Sequence, residues 1–391
     1  MADGKDIVKG TSLWADAWKR LLKNKLAVFG LIVLAIMVVA VIIGPYIIYW
    51  TTGIAAADIP AEGDLLNSFP PSLRHPMGTD EAGRDILARV LQGGRISLMV
   101  GIISTIVSLI IGVSYGAIAG YLGGGIDNLM MRIVDIIYSI PYILVVIVLL
   151  SVFGGPNTPV LISWLPQVLA ALVLLIVLIP VAVLIYRRLV EHFTDLDGVI
   201  LFLLKILYTA GVLAVIAAVV IVTGYLLMLG NVGTYWAGLY SGNVNQGLSQ
   251  IFLLFFALGL VSWLTMARVV RGQVLSLKNQ EFVLAARATG VSTLGIIFKH
   301  LVPNTLGPVI VYATLTVPSV MLTEAFLSFL GLGVQAPYAS WGSLASDGIK
   351  NIAIYPWQMI FPGVTMALTL FSLNFVGDGL RDALDPQTRK F

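Results

Sequence analysis

Long apolar runs separated by polar segments dominate the chain. Eight runs hold about 20 mostly apolar residues, the length that an α-helix needs to cross a bilayer. Pro308 and Pro318 interrupt the seventh run, and a span tolerates proline where neighbouring groups satisfy the freed carbonyls. The pattern predicts an all-α integral membrane protein with eight spans. They are residues 26–50, 97–122, 133–153, 167–186, 203–229, 250–267, 306–332 and 358–377.

The composition agrees with this class of protein. Only 11% of the 391 residues are charged and 58% are hydrophobic, whereas a soluble domain carries roughly 25% charged residues. The absence of cysteine excludes disulfides and thiolate metal ligands. The three histidines, His75, His192 and His300, are far apart in the sequence, so we expect no metal site.

The distribution of basic residues predicts the topology. With the N-terminus in the cytoplasm, eighteen of the 23 Lys and Arg residues lie on the cytoplasmic side. The positive-inside rule therefore favours a cytoplasmic N-terminus and a cytoplasmic C-terminus. The first apolar run is too long for the apolar core of a signal peptide, so we expect a retained first span.

Two polar segments have the pattern of amphipathic helices. Within the cytoplasmic N-terminal segment 1–25, residues 13–25 place apolar side chains on one face of a helix and basic side chains on the other. This pattern suits a helix lying on the membrane surface. Residues 78–95 predict an outer amphipathic helix with Thr79 as its cap. Asp85 and Arg89 are spaced there for an i,i+4 ion pair.

An outer loop, residues 334–357, is rich in aromatic residues, glycine and proline. Trp341, Tyr355 and Trp357 suit either the membrane interface or the cover of an external partner.

The residues contain no recognisable catalytic pattern. The phosphate-binding GxxxxGK[ST] loop is absent, so an enzyme active on its own is not expected. Few charges lie inside the spans. Glu324, close to Pro318 and Thr323, is a candidate to line a pathway or gate, and the structural alternative is that it caps a broken helix or pairs with an arginine. Asp135 and Asp378 lie near span ends.

The charged segment EFVLAARATGVSTLGIIFKHLVPN, residues 281–304, interrupts two apolar runs. Its first part is rich in helix formers, Gly290 permits a turn with positive φ, and Ser292 is placed to cap a second short helix. We expect Pro303 to end that helix. The segment is interpreted as a cytoplasmic knob that docks on another protein or, alternatively, as an ordinary helical loop.

This segment resembles the E-A-A-x3-G-x9-I-x-L-P pattern of permease subunits of binding-protein-dependent ABC importers. Ala285, Ala286, Gly290 and Pro303 stand at matching positions. The chain departs from the pattern at three positions: Leu284 replaces the leading Glu, His300 the Ile and Val302 the Leu. The change at Leu284 removes the leading carboxylate and leaves the expected shape of the loop unchanged.

Further stretches are similar to the C-type subunit of the dipeptide/oligopeptide (peptide/nickel) permease family. The resemblance extends over about three-quarters of the chain in the family's order, and six stretches carry it most clearly. They are WKRLLKNKLAVFGL (18–31), HPMGTDEAGRDILARVLQGGRISL (75–98), MRIVDIIYSIP (131–141), RVVRGQVLSLKNQEFVLAARATG (268–290), LTEAFLSFLGLGVQAPYASWGSL (322–344) and NFVGDGLRDALDP (374–386).

The resemblance implies a mechanism and partners. Two homologous permease subunits form the pathway, two ATPase subunits lie beneath it, and a binding protein or lipoprotein delivers substrate from above. ATP and Mg²⁺ then belong to the ATPases, and this chain binds no cofactor. The coupling loop, residues 281–303, transmits ATPase closure. Its expected residues are Glu281, Ala285, Ala286, Arg287, Gly290 and Pro303.

One large departure from the family is a long insertion, residues 154–250. The resemblance implies a type I importer bundle of six core spans, of which three lie in 26–153 and three in 251–391. The insertion contains two apolar runs, which we interpret as an added two-span hairpin packed at the periphery.

The sequence therefore predicts the permease subunit of an ABC importer that forms half of a pathway for di- and oligopeptides. The alternatives are a permease for nickel or another small solute and, from a different class, a secondary transporter or channel that works without ATP. The coupling loop distinguishes these classes, because a secondary transporter does not need it.

Overall fold

A computed structural model describes residues 13–53, 68–153, 243–335 and 338–384. The predicted spans 167–186 and 203–229 lie outside these residues. In the described part the extended regular elements are helices, beside one isolated bridge between Thr79 and Asp85. The all-helical class predicted from the sequence is confirmed.

The helices are numbered here in chain order. They are α1 (Leu13–Lys23), α2 (Lys25–Thr52), α3 (Ile86–Leu122), α4 (Gly124–Ser139), α5 (Tyr142–Phe153), α6 (Asn243–Leu277), α7 (Glu281–Ala288), α8 (Thr293–Gly295), a π-helical segment (Ile296–Leu301), α9 (Val302–Phe329), α10 (Trp341–Ile349) and α11 (Trp357–Leu384).

Five stretches of the described residues are long and apolar enough to cross a membrane. They are Lys25–Thr52, Ile86–Leu122, Leu254–Leu277, Thr293–Phe329 and Trp357–Leu384, and they overlap the first, second, sixth, seventh and eighth predicted spans.

The third predicted span is not one straight helix. The two helical pieces are long and apolar enough to cross a membrane only when they are taken together. They are Gly124–Ser139 and Tyr142–Val148, and the angle between them is 74°. Between them Ile140 is extended, with φ −79° and ψ 129°. The residue before a proline avoids the helical region for steric reasons, so Pro141 explains the break.

The predicted outer helix 78–95 begins later than the sequence suggested. Helix α3 starts at Ile86 and continues without a break into the second span. Asp85 caps it by accepting a hydrogen bond from the Ala88 N–H (2.8 Å). The side chain of Asp85 also contacts His75, while Arg89 pairs with Asp80, so the expected Asp85–Arg89 pairing gives way to contacts with the preceding loop.

The described residues belong to two compact units. The first takes them from Met1–Leu98, Ile310–Ala325 and Ala339–Phe391, and the second from Met99–Val309 and Phe326–Tyr338.

Helices α2 and α11 pack antiparallel in the first unit. A Cβ built on Gly30 would lie 2.7 Å from the carbonyl oxygen of Ser372, and one on Gly379 would lie 2.4 Å from the Cβ of Ala27. Small residues are needed where helices approach this closely. The beginning of α2 therefore lies beside the end of α11.

The amphipathic helix α1 packs on this same end of the pair. Its Ala17 and Leu21 are buried with Ala27 and Ala383, whereas Trp18 remains exposed. Part of the apolar face that the sequence assigned to the membrane surface thus contacts the protein itself.

Helix α6 packs parallel to the last two-thirds of α3 in the second unit. The Ser104 hydroxyl donates to the Phe255 carbonyl (2.8 Å), and Gly116 lies against the Ala267 carbonyl. Further along both helices, Gly120 lies against the Arg271 carbonyl. Because the residue numbers of successive contacts increase in both helices, the two helices run in the same direction.

We expect Gly116→Ala to destabilise the protein. The added methyl group would lie 2.3 Å from the Ala267 carbonyl oxygen, and overpacking of this kind costs about 1–3 kcal/mol. Heating the detergent-solubilised protein and measuring the folded fraction by size exclusion checks this.

Gly272→Ala is the matched control, because a Cβ there meets nothing within 4 Å. It should be neutral or slightly stabilising, as Ala favours helix interiors. Equal thermal stability of the two variants would contradict the close contact between α3 and α6.

Candidate functional site

The turn in the coupling loop follows the predicted geometry. Gly290 has φ 78°, a left-handed value that ends α7. The Val291 N–H donates a hydrogen bond to the Ala286 carbonyl (3.1 Å). The Ser292 hydroxyl then accepts from the Gly295 N–H (3.2 Å), which caps the next helix. The predicted glycine turn and serine cap are both confirmed.

Pro303 does not end the second helix of the loop. The chain passes from α8 through the π-helical segment into α9 without a break. The Val302 N–H donates to the Ile297 carbonyl, five residues back. Proline lacks an N–H, and the wider turn admits it within a continuous helix. The coupling loop is therefore joined directly to the span α9.

Buried apolar residues hold the coupling loop in place. Val283 and Ala286 on α7 are buried, as are Ile297 and Leu301 on the π-helical segment, against which α7 packs. Of the two predicted alanines, Ala286 thus faces inward and Ala285 outward.

The opposite face of the loop is exposed and partly apolar. Exposed large apolar side chains on it are Phe282, Leu284, Leu294 and Phe298. The predicted residues Glu281, Ala285, Arg287, Gly290 and Pro303 are exposed as well. A cluster of exposed apolar side chains on a charged loop is typical of a protein-binding surface.

Two basic residues tie the coupling loop and the turn before it to the end of α3. The Arg287 guanidinium donates to the Tyr121 hydroxyl (3.4 Å) and lies over its ring. The Lys278 ammonium donates to the Gly120 carbonyl (3.4 Å), at a helix terminus that favours cations. Neither contact has a local signal in the sequence, because the two partners lie 166 and 158 residues away in the chain.

Glu324 is held inside the first unit. Only 1% of it is exposed, and its Oε1 accepts from the Ser340 hydroxyl (2.7 Å). The neighbouring candidates differ, because Pro318 is buried and the Thr323 hydroxyl donates to the Ser319 carbonyl of its own helix (2.9 Å). Glu324 thus connects α9 to the residue that caps α10.

Trp341 lies inside the protein and not at a membrane interface. It is fully buried, its backbone N–H donates to the Ser97 hydroxyl (3.0 Å), and its indole N–H donates to the Val90 carbonyl (2.8 Å). A Cβ on Gly94 would meet the indole at 2.6 Å, so this glycine makes room for the ring. Both alternatives that the sequence left open for Trp341, the membrane interface and the cover of an external partner, were therefore wrong.

The other two aromatic residues of this outer segment are only partly covered. The indole N–H of Trp357 donates to the Thr79 carbonyl (3.3 Å), and the Tyr355 ring lies 5.5 Å from the Trp357 ring.

Two ion pairs connect α4 to α6 in the second unit. Asp127 is buried and accepts two hydrogen bonds from Arg271 (2.5 and 2.6 Å). Asp135 is 65% exposed and pairs with Arg268 (2.7 Å), which is 36% exposed. Tyr138 lies beneath the Arg268 guanidinium, 4.3 Å from it to the ring centre. Asp135 was a candidate from the sequence, but its partner Arg268 and the second arginine, Arg271, were not.

Comparison with known proteins identifies the class. Residues 112–390 match the family described as binding-protein-dependent transport system inner membrane component. Residues 12–67 match the N-terminal TM domain of oligopeptide transport permease C. The chain belongs to this family of inner membrane transport components, and its resemblance to the C-type peptide permeases is confirmed.

Individual relatives align over nearly the whole chain. The oligopeptide transport system permease protein OppC of Haemophilus influenzae is 37% identical over 98% of this chain and 91% of its own length. The dipeptide transport system permease protein DppC of Bacillus subtilis is 37% identical over 98% and 90%. The Escherichia coli OppC protein is 38% identical over 98% and 94%.

Proposed function

We propose that this chain is the transmembrane permease subunit of an ABC importer, and that it forms half of a translocation pathway for di- and oligopeptides. The observation that carries the proposal is the identity of 37–38% with oligopeptide and dipeptide permeases over 98% of the chain.

In this proposal the coupling loop transmits the motion of the ATPase subunit to the spans. Ala286, buried beside Val283, holds the loop in position, while Glu281, Ala285 and Arg287 face a separate ATPase subunit. Gly290 shapes the turn, and Pro303 lies where the loop continues into α9. Movement of the docked ATPase is thereby transmitted to a span.

The docking contact relies on shape and apolar area. The family's leading Glu is replaced by Leu284, which is exposed close to the equally exposed Phe282. Aromatic residues are enriched in protein interfaces and charged residues are depleted at interface cores, so exposed Phe282 and Leu284 suit an apolar contact. An apolar socket on the ATPase fits this face better than a basic one.

The complete importer contains further subunits. A second homologous permease closes the pathway, two ATPases bind ATP and Mg²⁺, and a binding protein or lipoprotein delivers the peptide. The outer segment after α9 and the charged loop before α3 face that binding protein. Pro318, Thr323 and Glu324 belong to the outer gate, where the Glu324–Ser340 hydrogen bond holds α10 against α9.

Helix directions support the proposed topology of six core spans plus a two-span hairpin. Because α2 and α11 are antiparallel, the start of the first span and the end of the last lie on the same side. Because α3 and α6 are parallel and a bent helix pair lies between them, a two-span insertion before α6 fits the direction of α6. The excess of basic residues favours the cytoplasm for both ends.

Reconstitution of the whole importer tests the proposed function. Proteoliposomes that contain this chain, the second permease and both ATPases should accumulate a labelled tripeptide when the loaded binding protein and ATP are supplied. Accumulation without ATP hydrolysis would indicate a secondary transporter, and uptake of nickel in place of peptide would overturn the substrate class.

Gly290→Pro should uncouple ATP hydrolysis from peptide uptake. Proline fixes φ near −65°, which is incompatible with the observed 78°, so the loop loses its shape while the spans remain. In the same proteoliposomes we expect uptake to fall by about tenfold or more, equivalent to about 1.4 kcal/mol of lost coupling.

Gly307→Ala is the control, since a Cβ there meets nothing within 4 Å and it lies in the adjoining helix α9. Its uptake should stay near that of the unchanged importer. Full ATP-driven uptake by the Gly290→Pro variant would exclude the coupling role of the loop.

A reporter fused after Asp195 should be active in the cytoplasm. The basic residues beside it, Arg187 and Arg188, favour that side if the insertion forms a hairpin. Paired reporters that are active only inside or only outside the membrane measure this, and an external signal would disprove the eight-span arrangement.

A further inference from the structure

The exposed pair Asp135–Arg268 is out of place on a lipid-facing surface. Both residues belong to membrane-spanning stretches, yet 65% and 36% of their side chains are exposed. A charged side chain at the bilayer centre costs about 2.5–3.5 kcal/mol on insertion scales. Charged residues in spans therefore usually face a bundle interior or a water-filled cavity.

The exposed faces of α3 and α4 differ in chemistry. On α3 the exposed large side chains of the second unit are apolar: Met99, Ile102, Ile106 and Ile110. On α4 an open groove of about 480 Å³ contains both signs of charge, and it is lined by Asn128, Met131, Arg132, Asp135 and Ile136.

The two ion pairs of α4 serve different purposes. The buried, doubly hydrogen-bonded Asp127–Arg271 pair already joins α4 to α6. The Asp135–Arg268 pair is a single, exposed contact, and beside water a pair of this kind adds little stability. Its charges are free to exchange partners with a ligand, while the ring of Tyr138 supports Arg268.

We infer that the α4 groove, with Asp135 and Arg268, lines the translocation pathway and binds the charged ends of a peptide. The inference rests on the proposed function as a peptide importer. A free peptide carries one terminal ammonium and one terminal carboxylate. Asp135 accepts a hydrogen bond from the ammonium, and Arg268 donates one to the carboxylate. These two contacts replace the hydrogen bond between Asp135 and Arg268. Such exchange keeps binding weak enough for release.

Single cysteines test whether this face borders water, because the chain has no cysteine of its own. Ile136 on α4 and Ile110 on α3 are each 65% exposed, which makes them a matched pair. In inside-out vesicles that contain the assembled importer, a charged thiol reagent should modify Ile136→Cys and leave Ile110→Cys unmodified. The modified fraction of this chain is read by mass spectrometry.

The ligand arm adds alanylalanine, which has both charged ends, or the same dipeptide with acetylated and amidated ends. Only the charged dipeptide should slow the modification of Ile136→Cys. Trapping the ATPases with vanadate should also change the rate, because the pathway alternates its access.

A functional arm separates a binding role from a structural one. Asp135→Asn should reduce ATP-driven uptake by about tenfold, the loss of one charge-assisted hydrogen bond, and Asp135→Glu should recover most of it. Asp127→Asn should instead lower the thermal stability of the complex, because Asp127 is buried and its loss leaves Arg271 uncompensated.

Three results would overturn the inference. They are equal modification of both cysteines, modification that ignores peptide and vanadate, and equal protection by the charged and the blocked dipeptide. The second result would assign the face to the cytoplasmic membrane surface. Failure of the proposed function is distinct, because the unsubstituted importer would then lack ATP-driven peptide uptake.

Discussion

A bilayer offers no hydrogen-bond partners, so the backbone hydrogen bonds of a span must be made within the protein. Lipid tails are as apolar as leucine, so helices associate through close packing and hydrogen bonds. Gly112, Gly116 and Gly120 bring α3 against the backbone of α6, and a buried ion pair then joins α6 to α4. The exposed Asp135–Arg268 pair stands out because it needs water or a ligand where the others have protein.

Two prolines illustrate how local chemistry depends on its surroundings. At Pro141 the preceding residue is extended and the span bends by 74°. At Pro303 a π-helical turn absorbs the missing hydrogen bond, and buried Ile297 and Leu301 support it. The first proline interrupts a span beside the groove, whereas the second keeps the coupling loop continuous with α9.

The glycine turn and the serine cap of the coupling loop were predictable because their signals are local, whereas the expected end of the second helix at Pro303 was wrong. A glycine between two helical patterns and a serine before the second are enough to predict the turn at Gly290 and the cap at Ser292. Trp341 was misjudged for the opposite reason. Its indole bonds to Val90, 251 residues away, and the space that Gly94 leaves for the ring has no signature in the residues around the tryptophan.

The sequence by itself determined the membrane class, the approximate positions of the spans in the described residues, the charged loop at 281–304 and the likeness to peptide permeases. Each depends on composition or on residues close together in the chain. Only the tertiary structure decided that Asp127 is buried against Arg271 while Asp135, two turns further along α4, stays open beside Arg268. Burial is set by neighbours that arrive from distant segments, and hydropathy along a single helix does not contain them.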